Sequence, residues 1–522
     1  MATTFRKDVL WNYGVYGMQL LLGVVAIPVY IGAYGVSLYG VYLLSVGLAT
    51  SLVILEFGSG RALMRFAAEF LNDGQEAKYL DALRTCLLIT SATAALALAL
   101  FVAFGTVGLG AFNVAPELRG VARALFLGAG VHSALLIGAQ LSQSMLKGAA
   151  IFHARSQLSL FENAVRAAVL LGVYLYRLPI WVLLLAEVGI AGLGVAFDLY
   201  LLRRDAPSLL RRVNPLANAS AAVVRTEPFR YARNTFVLSI FGFFSQSVDR
   251  LVLGLALGPA AVTIYTVVVK PYQIVKSLLG RFYAIYAPYF VRIDQRLSRR
   301  SVDAFIRDFS KVMIAALTLL MAVAIIVLPE AIRLWLGTDA YDAYVVYGQL
   351  LLAVVALRSL SYQYSTAIYI LGETHRLIGV EIGSVLVNFA VSVYLVNVIG
   401  VGGVIVGTLV QLTLTVPVIY AIGTRFLRGG DRAAETADAS APRRDLAGTF
   451  LPALFALLAA VAISRYIESG AYAAVLPGSL AAVGLAAAAV TLTGLALTLR
   501  PARRIVARLR ADFFRNERLL AQ

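Results

Sequence analysis

Cysteine occurs once in the 522 residues, at Cys86, and histidine only at His132, His153 and His375. A disulfide framework is therefore impossible, and a cysteine-rich metal site is excluded. No GxxxxGK[ST] phosphate loop occurs, so the chain has no recognisable ATPase of its own, and no motif implies a cofactor. Charge is scarce too: Asp, Glu, Lys and Arg make up 14% of the residues, against 60% that are hydrophobic. What remains is apolar sequence, repeatedly in runs of about 20 residues, the length that crosses roughly 30 Å of hydrocarbon. The fold class this predicts is an all-α, polytopic membrane protein.

Helices are expected near 9–31, 37–58, 82–106, 119–146, 156–176 and 180–202, then near 232–256, 260–290, 309–329, 344–371, 377–398 and 403–423. Two more, near 448–466 and 475–498, bring the total to about fourteen. The first run follows Arg6 and Lys7 but lacks a small-residue cleavage site, so it reads as a retained helix and not a signal peptide. The formal net charge of +17 sits mainly in alternate loops, for example Arg203, Arg204, Arg211, Arg212, Arg225 and Arg230 after the sixth helix. Positive-inside topology accounts for that pattern without a nucleic-acid partner, and places both termini in the cytoplasm.

The chain also repeats itself. Asn12, Gly35 and Tyr39 in the first half match Asn234, Gly258 and Tyr265 in the second, each set being a helix, a glycine turn and a tyrosine. The organisation expected is a six-helix lobe at 1–203, a linker at 204–231, a second six-helix lobe at 232–423 and a flexible linker at 424–447. Helices 13 and 14 at 448–498 read as an appendage, and 499–522 as a basic amphipathic tail lying on the membrane surface. Six helices per half insert both halves the same way up, as parallel pseudo-repeats.

Three stretches carry a family resemblance: VAIPVYIGAYGVSLYGVYLLSVGLATSLVILEFGSGRALMRFAAEF at 25–70, SQSVDRLVLGLALGPAAVTIYTVVVKPYQ at 245–273 and IGVGGVIVGTLV at 399–410. Together they resemble the polysaccharide-transporter branch of the multidrug/oligosaccharidyl-lipid/polysaccharide (MOP) exporter superfamily, which contains the Wzx-type flippases. The resemblance implies two lobes around a central cavity open alternately to each side, and a polyprenyl-pyrophosphate-linked glycan as cargo. The related lipid II flippases carry basic residues on helices 1 and 2. Here helix 1 has no charge after Asp8 and helix 2 has only Glu56, which favours a surface glycan over a peptidoglycan precursor.

Ionisable residues within a membrane-length run cost about 2.5–3.5 kcal/mol each on insertion scales, so they mark candidate sites. Lys270, beside Pro271, and Arg358, followed by Tyr362 and Gln363, both count to near the midplane and are the leading candidates for binding a pyrophosphate and sugars. Asp249 and Arg250 are further cavity candidates, pointing about 100° apart on one helix. Glu56, Glu162, Glu187, His132 and Glu381 are candidates for ion coupling, each with a helix-packing alternative; Glu162 and Arg166 are spaced i, i+4 for a structural pair.

The reading these residues support is a secondary flippase in the inner membrane, moving a lipid-linked oligosaccharide and making no bond. Its expected partners are that glycan, membrane lipids and a glycan polymerase or chain-length machinery. A drug or organic-cation exporter of the same superfamily would present acids to its cargo, which Lys270 and Arg358 oppose. A glycan polymerase or glycosyltransferase would need a sizeable outer loop, and the outer connections near 107–118, 330–343 and 467–474 are short.

Overall fold

The computed structural model describes residues 2–56, 58–73, 76–149, 151, 153–210, 229, 236, 247–294, 299–370, 373, 375–428 and 441–468, and no strand occurs among them. The chain begins with α1 (Ala2–Leu52), a helical run broken at Gly35, whose φ of 75° and ψ of 166° turn it into the two helices of the expected hairpin. Then come α2 (Ser59–Asp73), α3 (Glu76–Thr106), α4 (Arg119–Gly148), α5 (His153–Tyr176) and α6 (Trp181–Asp205). Residues 247–256 form α7. The remainder is α8 (Pro259–Asp294), α9 (Arg299–Leu336), α10 (Asp342–Ile370), α11 (His375–Ile399), α12 (Val401–Arg428) and α13 (Ala441–Glu468). Nine helices among the described residues are long and apolar enough to span a membrane. The expected helix 475–498 and the tail 499–522 lie outside the described residues.

The helices group into two compact units, residues 1–267 and 268–522. That division falls inside α8, whereas the expected lobes meet at 204–231, where little beyond Leu210 is described.

In the first unit α2 is an element that the sequence reading left as a connection. It is too short and too charged to span hydrocarbon, but its apolar residues recur at helical spacing: Ala62, Leu63, Phe66 and Ala67 are buried, while Arg61, Met64 and Arg65 are exposed. The buried face packs on α3 and α4. Tyr79, Leu83, Cys86, Leu141, Met145 and Leu202 complete the cluster. Burying side chains such as Leu63 and Phe66 stabilises by about 1.5–3 kcal/mol each where the alternative is water.

Elsewhere in this unit glycine lets helices approach closely. A Cβ added at Gly40 of α1 would collide with the Pro259 carbonyl oxygen at the start of α8, and one at Gly254 of α7 would stand 2.9 Å from Leu44 Cδ1. Thr263 donates to the Val36 carbonyl at 2.8 Å beside the same crossing. Gly258, the counterpart of Gly35, closes the α7–α8 turn with a φ of 86°, a left-handed conformation that other residues adopt only with strain.

In the second unit α12 plays the same part, because Gly403 and Gly407 face α11 and Gly402 faces Tyr347 of α10. Asn388, Ser392, Thr408 and Gln411 form a hydrogen-bonded ladder across the α11–α12 pair. The expected thirteenth helix is observed as α13, packed against α9 and α10 with Leu457 and Ser464 buried. Gln349 of α10 pins that arrangement, donating to the Ile325 carbonyl at 3.0 Å and to Ser464 at 2.7 Å.

The Gly40 contact yields a prediction. Gly40→Ala has backbone to displace and should lose about 1–3 kcal/mol, the usual range for overpacking. Gly17→Ala, with nothing within 4 Å of its Cβ, should be neutral or slightly stabilised. Thermal midpoints of the full chain in detergent measure both, and equal midpoints would refute the close-approach argument.

Candidate functional site

The leading cation candidates, Lys270 and Arg358, stand in the second unit, on α8 and α10. Gly348 of α10 lies against the Val268 backbone of α8, and Gly280 of α8 faces the Tyr362 hydroxyl of α10. The contacts fall in the same order on both helices, so α8 and α10 run parallel and residue 270 is level with about residue 350. Lys270 lies 11 residues past Pro259, about 16 Å along its helix, and Arg358 lies 16 residues past Asp342, about 24 Å along its own. The two expected phosphate ligands are therefore not level: Arg358 is roughly 12 Å farther along.

Level with Arg358 is the exposed Lys276, whose ammonium sits 5.9 Å from the Tyr272 ring centre. Lys270, Ser277 and the half-buried Arg281 share one face of α8, since seven and eleven residues are near-whole numbers of helical turns. The sequence reading missed Lys276 and Arg281, although the i, i+7, i+11 spacing was there to find. α8 continues through Pro271 without a break.

Arg358 is half-buried and its guanidinium makes no hydrogen bond or ion pair with a described residue. Tyr362, one turn on, is 37% exposed on the same face. Gln363 corrects an expectation: it is wholly buried, with neither amide atom partnered among the described residues, and so does not share the open face of Tyr362.

In the first unit Asp249 and Arg250 diverge as neighbours on a helix must. Asp249 accepts a 2.6 Å hydrogen bond from the Tyr265 hydroxyl. Arg250 lies against Gly47, where an added Cβ would be 2.9 Å from its Nη1, and has no ion pair among the described residues.

This unit also holds a partly open cavity of about 370 Å³ between α1, α5 and α6, lined among others by Gln19, Tyr30, Tyr42, Asn163, Arg166 and Glu187. Arg166 grips Glu187 with both arms of its fork, Nε at 2.8 Å and Nη2 at 2.9 Å. The i, i+4 spacing pointed to Glu162 instead, but the bidentate partner stands on the next helix. Glu187 is thereby neutralised, which weakens it as an ion-coupling group. His132 is 3% exposed and its Nδ1 has no described partner. Glu381 in the second unit is half-buried.

Glu56 lies just past Leu52, where the first membrane-spanning run ends. It is 6% exposed and its Oε2 has no described partner. Burial pushes its carboxyl from 4.5 up to about 7, against the opposing pull of Arg61 and Lys147. Gly60 makes room for it: a Cβ there would lie 3.1 Å from Glu56 Oε2 and 2.6 Å from Ser144 Oγ.

The family model described as polysaccharide biosynthesis protein matches residues 5–294, more than half of the chain. The chain belongs to that family. No curated protein matches its sequence. Among solved structures, the lipid II flippase MurJ in an inward closed conformation is similar with a TM-score of 0.64 at 13% identity, covering 96% of this chain and 99% of that one. An inward-facing MATE-family multidrug resistance transporter of the MOP superfamily is similar with a TM-score of 0.59 at 13% identity, covering 80% and 96%. At such identities the likeness is one of fold, and it makes this polysaccharide biosynthesis protein an all-α, multi-pass membrane protein of the MurJ and MATE type.

A pH dependence follows from Glu56. Its folded value lies above the ordinary one, so its contribution to stability is full below about pH 4.5 and is lost as the pH rises through about 7. The thermal midpoint of the unaltered chain should fall relative to that of Glu56→Gln between about pH 5 and pH 8. A constant difference across that range would refute the assignment.

Proposed function

We propose that this protein is a flippase that carries a polyprenyl-pyrophosphate-linked oligosaccharide, such as an O-antigen, capsule or exopolysaccharide unit, to the outer leaflet of the inner membrane by alternating access. Its termini are cytoplasmic, no covalent bond changes, and the glycan passes to a polymerase or chain-length machinery. Membership of a polysaccharide biosynthesis family supports the cargo class. The observation that carries the reading is the half-buried guanidinium of Arg358, which has no partner among the described residues, is level with Lys276 and is followed by the exposed Tyr362. A guanidinium donates two parallel hydrogen bonds to a phosphate, and in a low-dielectric surrounding its charge favours a pyrophosphate strongly. Lys270 and Arg281 extend the positive face of α8, while the lipid tail stays in hydrocarbon.

An exporter of organic cations needs free carboxylates in the span. Glu187, the carboxylate in the lining of the first unit's cavity, is neutralised by Arg166 and so offers little to a cation.

The test is translocation of a lipid-linked glycan in cells or vesicles. Arg358→Ala and Lys270→Ala should each lower the rate about tenfold or more at unchanged protein level, the equivalent of about 1.4 kcal/mol. Arg358→Lys, which keeps charge but loses the fork, should fall between. Normal rates in both alanine variants would overturn the pyrophosphate assignment.

A further inference from the structure

The cavity of the first unit differs in chemistry from the cationic faces of α8 and α10. Its volume of about 370 Å³ lies at the small end of the 300 to 1,000 Å³ typical of ligand pockets, the scale of a mono- or disaccharide. Arg166 and Glu187, the charged groups in its lining, cancel each other. Around them stand polar groups with spare capacity. The hydroxyls of Tyr30 and Tyr42 and the amide of Gln19 make no hydrogen bond with any described residue. Asn163 is already engaged, accepting from Arg166 Nη1 at 3.4 Å and donating to the Val15 carbonyl at 3.4 Å.

Each ligand class meets this lining differently. A phosphate gains little from a guanidinium whose charge is already balanced, and a cation finds both oxygens of the carboxylate occupied. A lipid tail would strip the tyrosine and glutamine groups of hydrogen bonds, which costs free energy in an apolar setting. A polyhydroxylated ring suits all of them. Its hydroxyls both donate and accept, so they use the remaining N–H groups of Arg166, the remaining lone pairs of Glu187 and the unengaged hydroxyls and amide together. Its apolar ring face packs on tyrosine.

We infer that the cavity formed by α1, α5 and α6 is a binding site for an uncharged sugar unit. The inference rests on the glycan-transport reading for its biology, but its binding test does not.

The full chain in nanodiscs is applied to an array of neutral and acidic mono- to tetrasaccharides bearing no lipid or phosphate. Neutral glycans should be retained in preference to acidic ones. Ala186 also lines the cavity, and Ala186→Leu, which narrows it and leaves the ion pair in place, should weaken retention about tenfold. Arg166→Lys should do the same by breaking the fork. Tyr42→Phe, which removes only a hydroxyl, should cost about threefold. Each variant is first checked for a thermal midpoint within a few degrees of the unaltered chain. Preference for acidic glycans, no retention of any neutral glycan, or undiminished binding by a folded Ala186→Leu variant overturns the inference. Normal translocation with no glycan retention leaves the flippase reading standing and removes only this site. Glycan retention without translocation has the opposite meaning.

Discussion

Apolar helices in a bilayer gain nothing from leaving lipid for one another, because lipid tails are as apolar as leucine, so association depends on how closely two backbones can fit. Glycine sets that limit throughout this protein. Gly40 admits the backbone at the start of α8 and Gly403 and Gly407 admit that of α11, while Gly254 and Gly402 make room for the side chains of Leu44 and Tyr347. Once the backbones touch, a single polar bond can pin each crossing. Tyr34 donates to the Leu178 carbonyl at 2.7 Å, Ser133 to the Ala49 carbonyl at 3.2 Å and Gln349 to the Ile325 carbonyl at 3.0 Å. Each pin satisfies a polar side chain that would otherwise be costly in hydrocarbon. The structure thus needs few charges for cohesion, which makes the charges that are present informative.

Those charges sort by partner. In the first unit several are engaged by a neighbouring side chain, Arg166 by Glu187, Asp249 by Tyr265 and Asp198 by Ser142 at 2.9 Å, while Arg250 has no ion pair among the described residues. In the second unit Arg358 has no such partner among the described residues, and the polar face of α8 is basic along three turns. The two units therefore offer different chemistry, one balanced and aromatic, the other cationic.

Much of the architecture was legible in the sequence because one constraint, about 20 apolar residues per crossing, dominates it. The glycine turns at Gly35 and Gly258 were visible for a similar reason, since both take a left-handed conformation. What could not be read was anything set by a partner far along the chain. Arg166 finds Glu187 on the next helix, α2 is held by α3 and α4, and α13 docks on α9 and α10 where an appendage was expected. The relative level of Lys270 and Arg358 was hidden for another physical reason. Counting residues from a helix start gives distance along an axis, and only contacts such as Gly348 against Val268 convert that distance into a shared level.

The length of α8 gives that level a consequence. Its 36 residues extend about 54 Å, well beyond roughly 30 Å of hydrocarbon, so one helix reaches from the membrane interior into the basic connection that follows it. Arg281 lies 22 residues past Pro259, about 33 Å along, close to where hydrocarbon should give way to headgroups. On the flippase reading, a pyrophosphate entering from that end meets Arg281 first and then, three turns deeper on the same face of α8, Lys270, with Arg358 of α10 between them in level. Spacing cations along a path, and not stacking them at one depth, lets each step exchange one ionic contact for another. No single site then has to bind so tightly that it holds its cargo, a condition any carrier must meet to turn over.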